Sequence, residues 1–107
     1  MESKLPFFEE IAPGRLKLVG DLTFATCAAC WKTSQRRFQQ AQAITLDLSG
    51  VRRADSAGLA LLVEWLRLAQ KRSLRLEFVN FPPQLAAMAK AYHLEPLLFR
   101  QWTNCAS

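Results

Sequence analysis

Cys27-Ala28-Ala29-Cys30 is a pair of thiols at a spacing that can carry chemistry. Such a pair exchanges disulfides when a helix start stabilises one thiolate, and supplies half of a structural zinc site when two further ligands complete it. The other candidate ligands, His93 and Cys105, lie far along the chain without paired spacing. Small apolar packing is the plainer expectation for the two cysteines. His93 is the single histidine and follows a helical stretch. A general-base role needs a nucleophile and an orienting carboxylate that the sequence does not identify, so capping a helix C-terminus is expected instead. Neither a phosphate-binding Gly-Lys-Ser/Thr loop nor a dinucleotide glycine fingerprint occurs, which assigns any nucleotide hydrolysis to another chain. These residues predict no catalytic site, no cofactor and no metal.

The segment Arg53-Ala54-Asp55-Ser56-Ala57-Gly58-Leu59-Ala60-Leu61-Leu62 carries a different kind of chemistry. Ser56 is expected at the N-cap, accepting from a free N–H of the first turn, with Asp55 placing negative charge at the positive end of the helix dipole. Glycine inside a helix costs about 1 kcal/mol relative to alanine, so Gly58 implies the close approach of another backbone or of a partner. Along the helix that follows, Leu59, Leu62, Val63, Leu66 and Ala69 form one apolar stripe. Leu61, Trp65 and Leu68 form a second. One sheet contact does not need so wide an arc, so a neighbouring helix or another protein must cover it, and Trp65 beside Arg67, Lys71 and Arg72, the composition of an anchor with a charged rim, tilts the expectation toward a partner. The expected docking surface is therefore Asp55, Ser56, Ala57 and Gly58 with Leu61, Trp65 and Leu68.

An alternation of strands and helices positions this segment. Phe7 to Ile11 and Arg15 to Val19 read as a hairpin across Ala12-Pro13-Gly14. Phe24, Cys27, Ala28, Trp31 and Phe38 fall at helical spacing after Asp21-Leu22-Thr23, which offers capping side chains. Ala43 to Leu48 reads as a central strand that Ser49-Gly50 ends. Ser56 to about Arg72 is the strongest helix, Leu74 to Asn80 alternates as a strand, and Pro82-Pro83 opens a further helix bearing Leu85, Met88, Ala89 and Tyr92. Leu97-Leu98-Phe99 is read as a last short strand. The order predicts an α/β fold, with a mixed, mostly parallel sheet of four to five strands packed with three to four helices.

The chain has 107 residues, half of them apolar, which suits a single domain with its core from about residue 7 to 99. No stretch reaches the roughly 18 apolar residues of a spanning helix. Met1-Glu2-Ser3-Lys4-Leu5-Pro6 lacks the pattern of a secretory signal, so a cytosolic location is expected, with none of the three cysteines bridged. A net charge of +5 and a pI near 9.6 favour acidic partners. The basic residues are interrupted by apolar ones, at Lys32, Arg36 and Arg37, at Arg52 and Arg53, and at Arg67, Lys71, Arg72 and Arg75. That distribution reads as solvated helix faces and loop ends, without a nucleic-acid footprint.

The Asp55-Ser56-Ala57-Gly58-Leu59 turn follows the Ile44-Thr45-Leu46-Asp47-Leu48-Ser49 strand and precedes the Leu61-Leu62 helix. In this it resembles the STAS domain of anti-sigma-factor antagonists, and the order of elements agrees from about Phe7 to Phe99. The Gly58-Leu59-Ala60-Leu61-Leu62 continuation and the later helix from Leu85 to Leu94 are most similar to the MlaB-like branch of that family. The resemblance implies a STAS-like single domain and a small cytosolic subunit of an Mla phospholipid-transport ABC complex of Gram-negative envelopes. It would bind the ATPase subunit, MlaF, in a complex with permease and membrane-anchored lipid-binding subunits. It would reach the inner membrane only through that complex, and would support lipid asymmetry of the outer membrane. Ser56 matches by position the serine phosphorylated in anti-sigma antagonists, where MlaB-like chains often carry threonine. The alternative implied is a partner switch controlled by phosphorylation of Ser56.

Overall fold

Alternation of apolar residues with period two builds the sheet, and the computed structural model describes it over residues 6–39 and 41–99. The strands are β1 (Phe7–Ala12), β2 (Arg15–Leu22), β3 (Ala43–Ala54) and β4 (Arg75–Val79), hydrogen-bonded in the order β1-β2-β3-β4. β1 and β2 pair antiparallel as the hairpin, while β2 pairs with β3 and β3 with β4 in parallel. Leu16, Leu18, Ile44, Leu46, Leu48, Leu76 and Phe78 are buried, and Lys17, Val19, Thr45, Asp47, Glu77 and Val79 between them are half-buried. One face of the sheet therefore carries the core.

The helices are α1 (Cys27–Phe38), α2 (Ser56–Lys71), α3 (Pro83–Ala91) and α4 (Glu95–Phe99). The expected fold class holds, as a mixed, mostly parallel sheet of four strands with four helices among the described residues. α2 packs on β2, β3 and β4, and is flanked by α1 and α3. None of the described helices is long and apolar enough to cross a membrane.

Three boundaries differ from expectation. β3 does not end at Ser49-Gly50 but runs on to Ala54, with its pairing to β2 shifting register around Val19 and Gly20. A Cβ on Gly50 would lie 2.7 Å from the Leu18 carbonyl oxygen, so this glycine admits a neighbouring strand and does not terminate its own. Leu97-Leu98-Phe99 is not a strand; it belongs to α4, where Pro96 sits in the first turn and Leu98 is buried. α1 begins at Cys27, because Asp21 and Leu22 complete β2 and the Thr26 hydroxyl donates to the Asp21 carbonyl at 2.7 Å. That bond folds the connecting loop back on the strand and leaves Phe24 outside the helix.

Candidate partner-docking site

β3 delivers the chain to Asp55, whose extended backbone (φ −130°, ψ −170°) makes it the N-cap of α2. The Ala57 and Gly58 N–H groups donate to its Oδ1 at 2.9 and 3.2 Å. Its Oδ2 accepts from the Phe24 N–H at 3.0 Å, thirty-one residues away in sequence. The Asp55 N–H donates to the Leu22 carbonyl at 3.2 Å, and Ala54 N–H donates to the Gln84 side-chain oxygen at 3.3 Å. One carboxylate thus holds the start of α2 and the loop between β2 and α1 together. The capping role expected of Ser56 belongs to Asp55, since Ser56 is already the first helical residue and its side chain is exposed.

Gly58 has the close neighbour its presence implied, and that neighbour is internal. A Cβ there would stand 2.3 Å from the Leu22 carbonyl oxygen and 2.9 Å from the Leu22 Cβ. The first turn of α2 packs directly on the end of β2, and Gly58 is buried beneath it.

The expected second apolar stripe of α2 requires correction. Trp65 is 0% exposed and Leu61 is 6% exposed, and only Leu68 is partly open. α1 and β1 cover Trp65: its ring centroid lies 5.7 Å from Phe38 and 6.1 Å from Phe8. The Trp65 indole N–H donates to the Ser34 hydroxyl at 2.7 Å, which in turn donates to the Trp31 carbonyl at 2.7 Å. A helix lying beside α2 takes up the extra width of its apolar arc, so Leu61 and Trp65 do not present a docking face. A charge placed at either position would strike the core.

Phe24, which its spacing assigned to the helix stripe of α1, is 84% exposed. It stands in the loop whose backbone Asp55 fixes, and a large aromatic exposed on an anchored loop has the character of an interface anchor. The sequence signal for it was the threonine at position 26, whose hydroxyl also accepts from the Thr23 N–H at 3.1 Å and closes the loop before the helix begins. Arg52 and Arg53 are exposed on the end of β3 nearby in sequence, and the Arg52 Nε reaches buried Asp21 at 3.3 Å. The structure brings together Asp55, Ser56, Ala57, Gly58 and Phe24, and separates from them Leu61, Trp65 and Leu68.

The cysteine pair lies in the first turn of α1, just after the Phe24 loop. Cys30 is buried, and burial together with the neighbouring Cys27 pushes its thiol up to about 12. Burial and the Asp55 carboxylate push Cys27 up as well. Both shifts favour the protonated thiol, the unreactive form. His93 has a positive φ of 61° beyond the end of α3, where its N–H donates to the Lys90 carbonyl at 3.1 Å. Cys105 lies outside the described residues.

The family model described as Mlab, STAS domain, matches residues 9–99. No curated protein matches the chain. Among solved structures, the anti-sigma factor antagonist SpoIIAA in its unphosphorylated form is similar with a TM-score of 0.68 and 15% identity, covering 88% of this chain and 85% of that one. The murine Slc26a9 anion transporter in its inward-facing state is similar with a TM-score of 0.62 and 21% identity, covering 78% of this chain. The matched region is 14% of that transporter's own length. At these identities the likeness is one of fold.

Proposed function

The chain belongs to the STAS-domain family, and on that premise we propose that it is a non-enzymatic accessory subunit of an Mla-type phospholipid-transport ABC complex, docking on the ATPase subunit MlaF. In this reading it supports assembly or activity of the ATPase, and through it the lipid asymmetry of the outer membrane. It lies in the cytoplasm and meets the inner membrane only through the complex. The observation that carries the docking mechanism is Phe24, 84% exposed on a loop whose backbone the Asp55 carboxylate ties to the start of α2. Burying a phenylalanine ring gains about 1.5–3 kcal/mol, and a loop backbone already tied by Asp55 lowers the ordering cost set against it. The exposed Ser56 side chain and half-buried Ala57 extend the same surface.

Co-purification with an MlaF-type ATPase from the same organism tests the reading. Phe24→Asp is expected to reduce recovery of the complex by at least about tenfold, the equivalent of 1.4 kcal/mol, while leaving the thermal midpoint of the isolated chain unchanged. Full recovery of the complex with Phe24→Asp, or no complex with the unsubstituted chain, would remove it.

A further inference from the structure

The C-terminal parts of α1 and α2 lie side by side, joined where the Arg72 guanidinium donates to the Gln39 carbonyl. Two depressions run along this seam and share Leu68: one lies beside Lys32, Arg36 and Arg72, the other beside Trp31, Arg67 and Lys71, with the carboxylate of Glu64 on its edge paired to Arg67. Leu68 and Trp31 are half-buried and give the floor an apolar character. Lys32, Arg36 and Lys71 are exposed, and none of them takes part in an ion pair among the described residues. Arg67 reaches Glu64 at 3.4 Å.

Positive charge in the last turn of a helix complements its dipole, which accounts for Arg36 and Lys71. It does not account for Lys32 in the middle of α1 or for Arg67 before the last turn of α2. Among the described residues, the large exposed apolar side chains Phe7, Ile11, Phe24, Tyr92 and Leu97 line neither depression. A membrane-binding face gains its depth from inserted apolar side chains, and among the described residues this face carries no fully exposed large one. A groove with an apolar floor and cationic rims instead complements a peptide that carries an apolar residue between carboxylates.

We propose that the groove between α1 and α2 receives an acidic segment of a protein partner, seating an apolar side chain on Leu68 and Trp31 with carboxylates against Lys32, Arg36 and Lys71. This surface is distinct from the Asp55 turn. Leu68 lies roughly 18 Å along α2 from Ser56 at the helical rise of 1.5 Å per residue. The proposal therefore stands or falls separately from the docking of Phe24.

Two synthetic peptides of about one helical segment's length (12 residues) test it by NMR on the full chain: one with a leucine flanked by glutamates, the other with serine in place of that leucine. The leucine peptide is expected to shift amide resonances at 31–36 and 67–72, and to bind at least about fivefold tighter than the serine peptide, as about 1 kcal/mol of apolar contact requires. Lys32→Glu with Lys71→Glu should weaken it by at least about tenfold, and Lys71→Ala alone by about twofold or more, with unchanged thermal midpoints. Equal affinity for the two peptides, shifts centred on other residues, or no binding at millimolar peptide overturns the proposal. So does attachment of phosphatidylglycerol vesicles through Lys32 and Lys71 when the leucine peptide fails to bind.

Discussion

Replacing Gly58 with alanine adds one methyl group to the first turn of α2, directly against the end of β2. In an isolated helix the change stabilises by up to about 1 kcal/mol, because alanine loses less conformational freedom. Here the added Cβ would stand 2.3 Å from the Leu22 carbonyl oxygen. Carbon–oxygen contacts of this kind normally settle at about 3.3 Å or more, so α2 must retreat by about 1 Å. Overpacking of this kind costs about 1–3 kcal/mol. The same Leu22 oxygen accepts the Asp55 N–H at 3.2 Å, and stretching that bond forfeits about 0.5–1.5 kcal/mol more. Set against the helical gain, these terms leave Gly58→Ala destabilised by about 1–3 kcal/mol.

Urea unfolding followed by circular dichroism measures the difference. With a slope of about 1 kcal/mol/M for a domain of this size, the midpoint should fall by about 1 M or more. Ala60→Gly is the control: Ala60 is exposed two residues along the same helix, and its loss should be the ordinary propensity cost of about 1 kcal/mol. Glycine and alanine would then each be the stabilising residue at its own position. A Gly58→Ala chain that unfolds at the original midpoint or above it would refute the packing of α2 on Leu22.

Asp55→Ala should cost about 1–2 kcal/mol, because the N–H groups of Phe24, Ala57 and Gly58 lose their acceptor; thermal melts would show it, and Asp55→Asn should retain most of the stability. Ser34→Ala should cost about 1–3 kcal/mol in urea unfolding, since the fully buried Trp65 indole N–H is left without its acceptor; an unchanged midpoint would contradict the assigned bond. In the folded chain at pH 8, iodoacetamide should label Cys27 and Cys30 far more slowly than in urea, as read by peptide mass mapping. The Cys30 thiol lies near 12 when folded, against about 8.5 in an unfolded chain, so its contribution to stability is present below about 8.5 and is lost as pH rises toward 12.

Much of this fold could be read from residue order because its periods are local. Leu16 and Leu18, like Leu76 and Phe78, alternate with polar or half-exposed neighbours, and a period of two determines which side of the strand is buried. The Asp55–Gly58 turn was equally legible as a helix start, although Asp55 takes the cap expected of Ser56. What failed depended on neighbours distant in sequence. Gly50 has the composition of a strand end, and only the approach of Leu18 shows that it lies within a strand. Phe24 keeps helical spacing with Cys27 and Trp31, but the backward bond from Thr26 to Asp21 starts the helix three residues later. The width of the α2 arc was legible, and of its two possible covers, a neighbouring helix or a partner, the structure shows the helix. Amphipathicity reports how much surface must be buried, and it does not report that Phe8 and Phe38 will bury it. A short apolar run such as Leu97 to Phe99 is ambiguous by periodicity alone, and Pro96 decides it as a helix.

The burial of Trp65 also changes how a partner can engage this domain. With the aromatic seam closed internally, α1 and α2 behave as one layer, and their shared outer surface carries the basic groove around Leu68. The end of that layer nearest the turn is braced differently. Asp55 connects β3, the loop bearing Phe24 and the first turn of α2 through one side chain, so a force on Phe24 passes into the helix cap and through the Leu22 carbonyl into the sheet. An exposed aromatic on an unbraced loop would spend part of its contact energy on ordering the loop. In the docking proposed above, the loop backbone held by Asp55 leaves that energy for binding, and loosening the cap should weaken docking even where the substituted residue touches no partner.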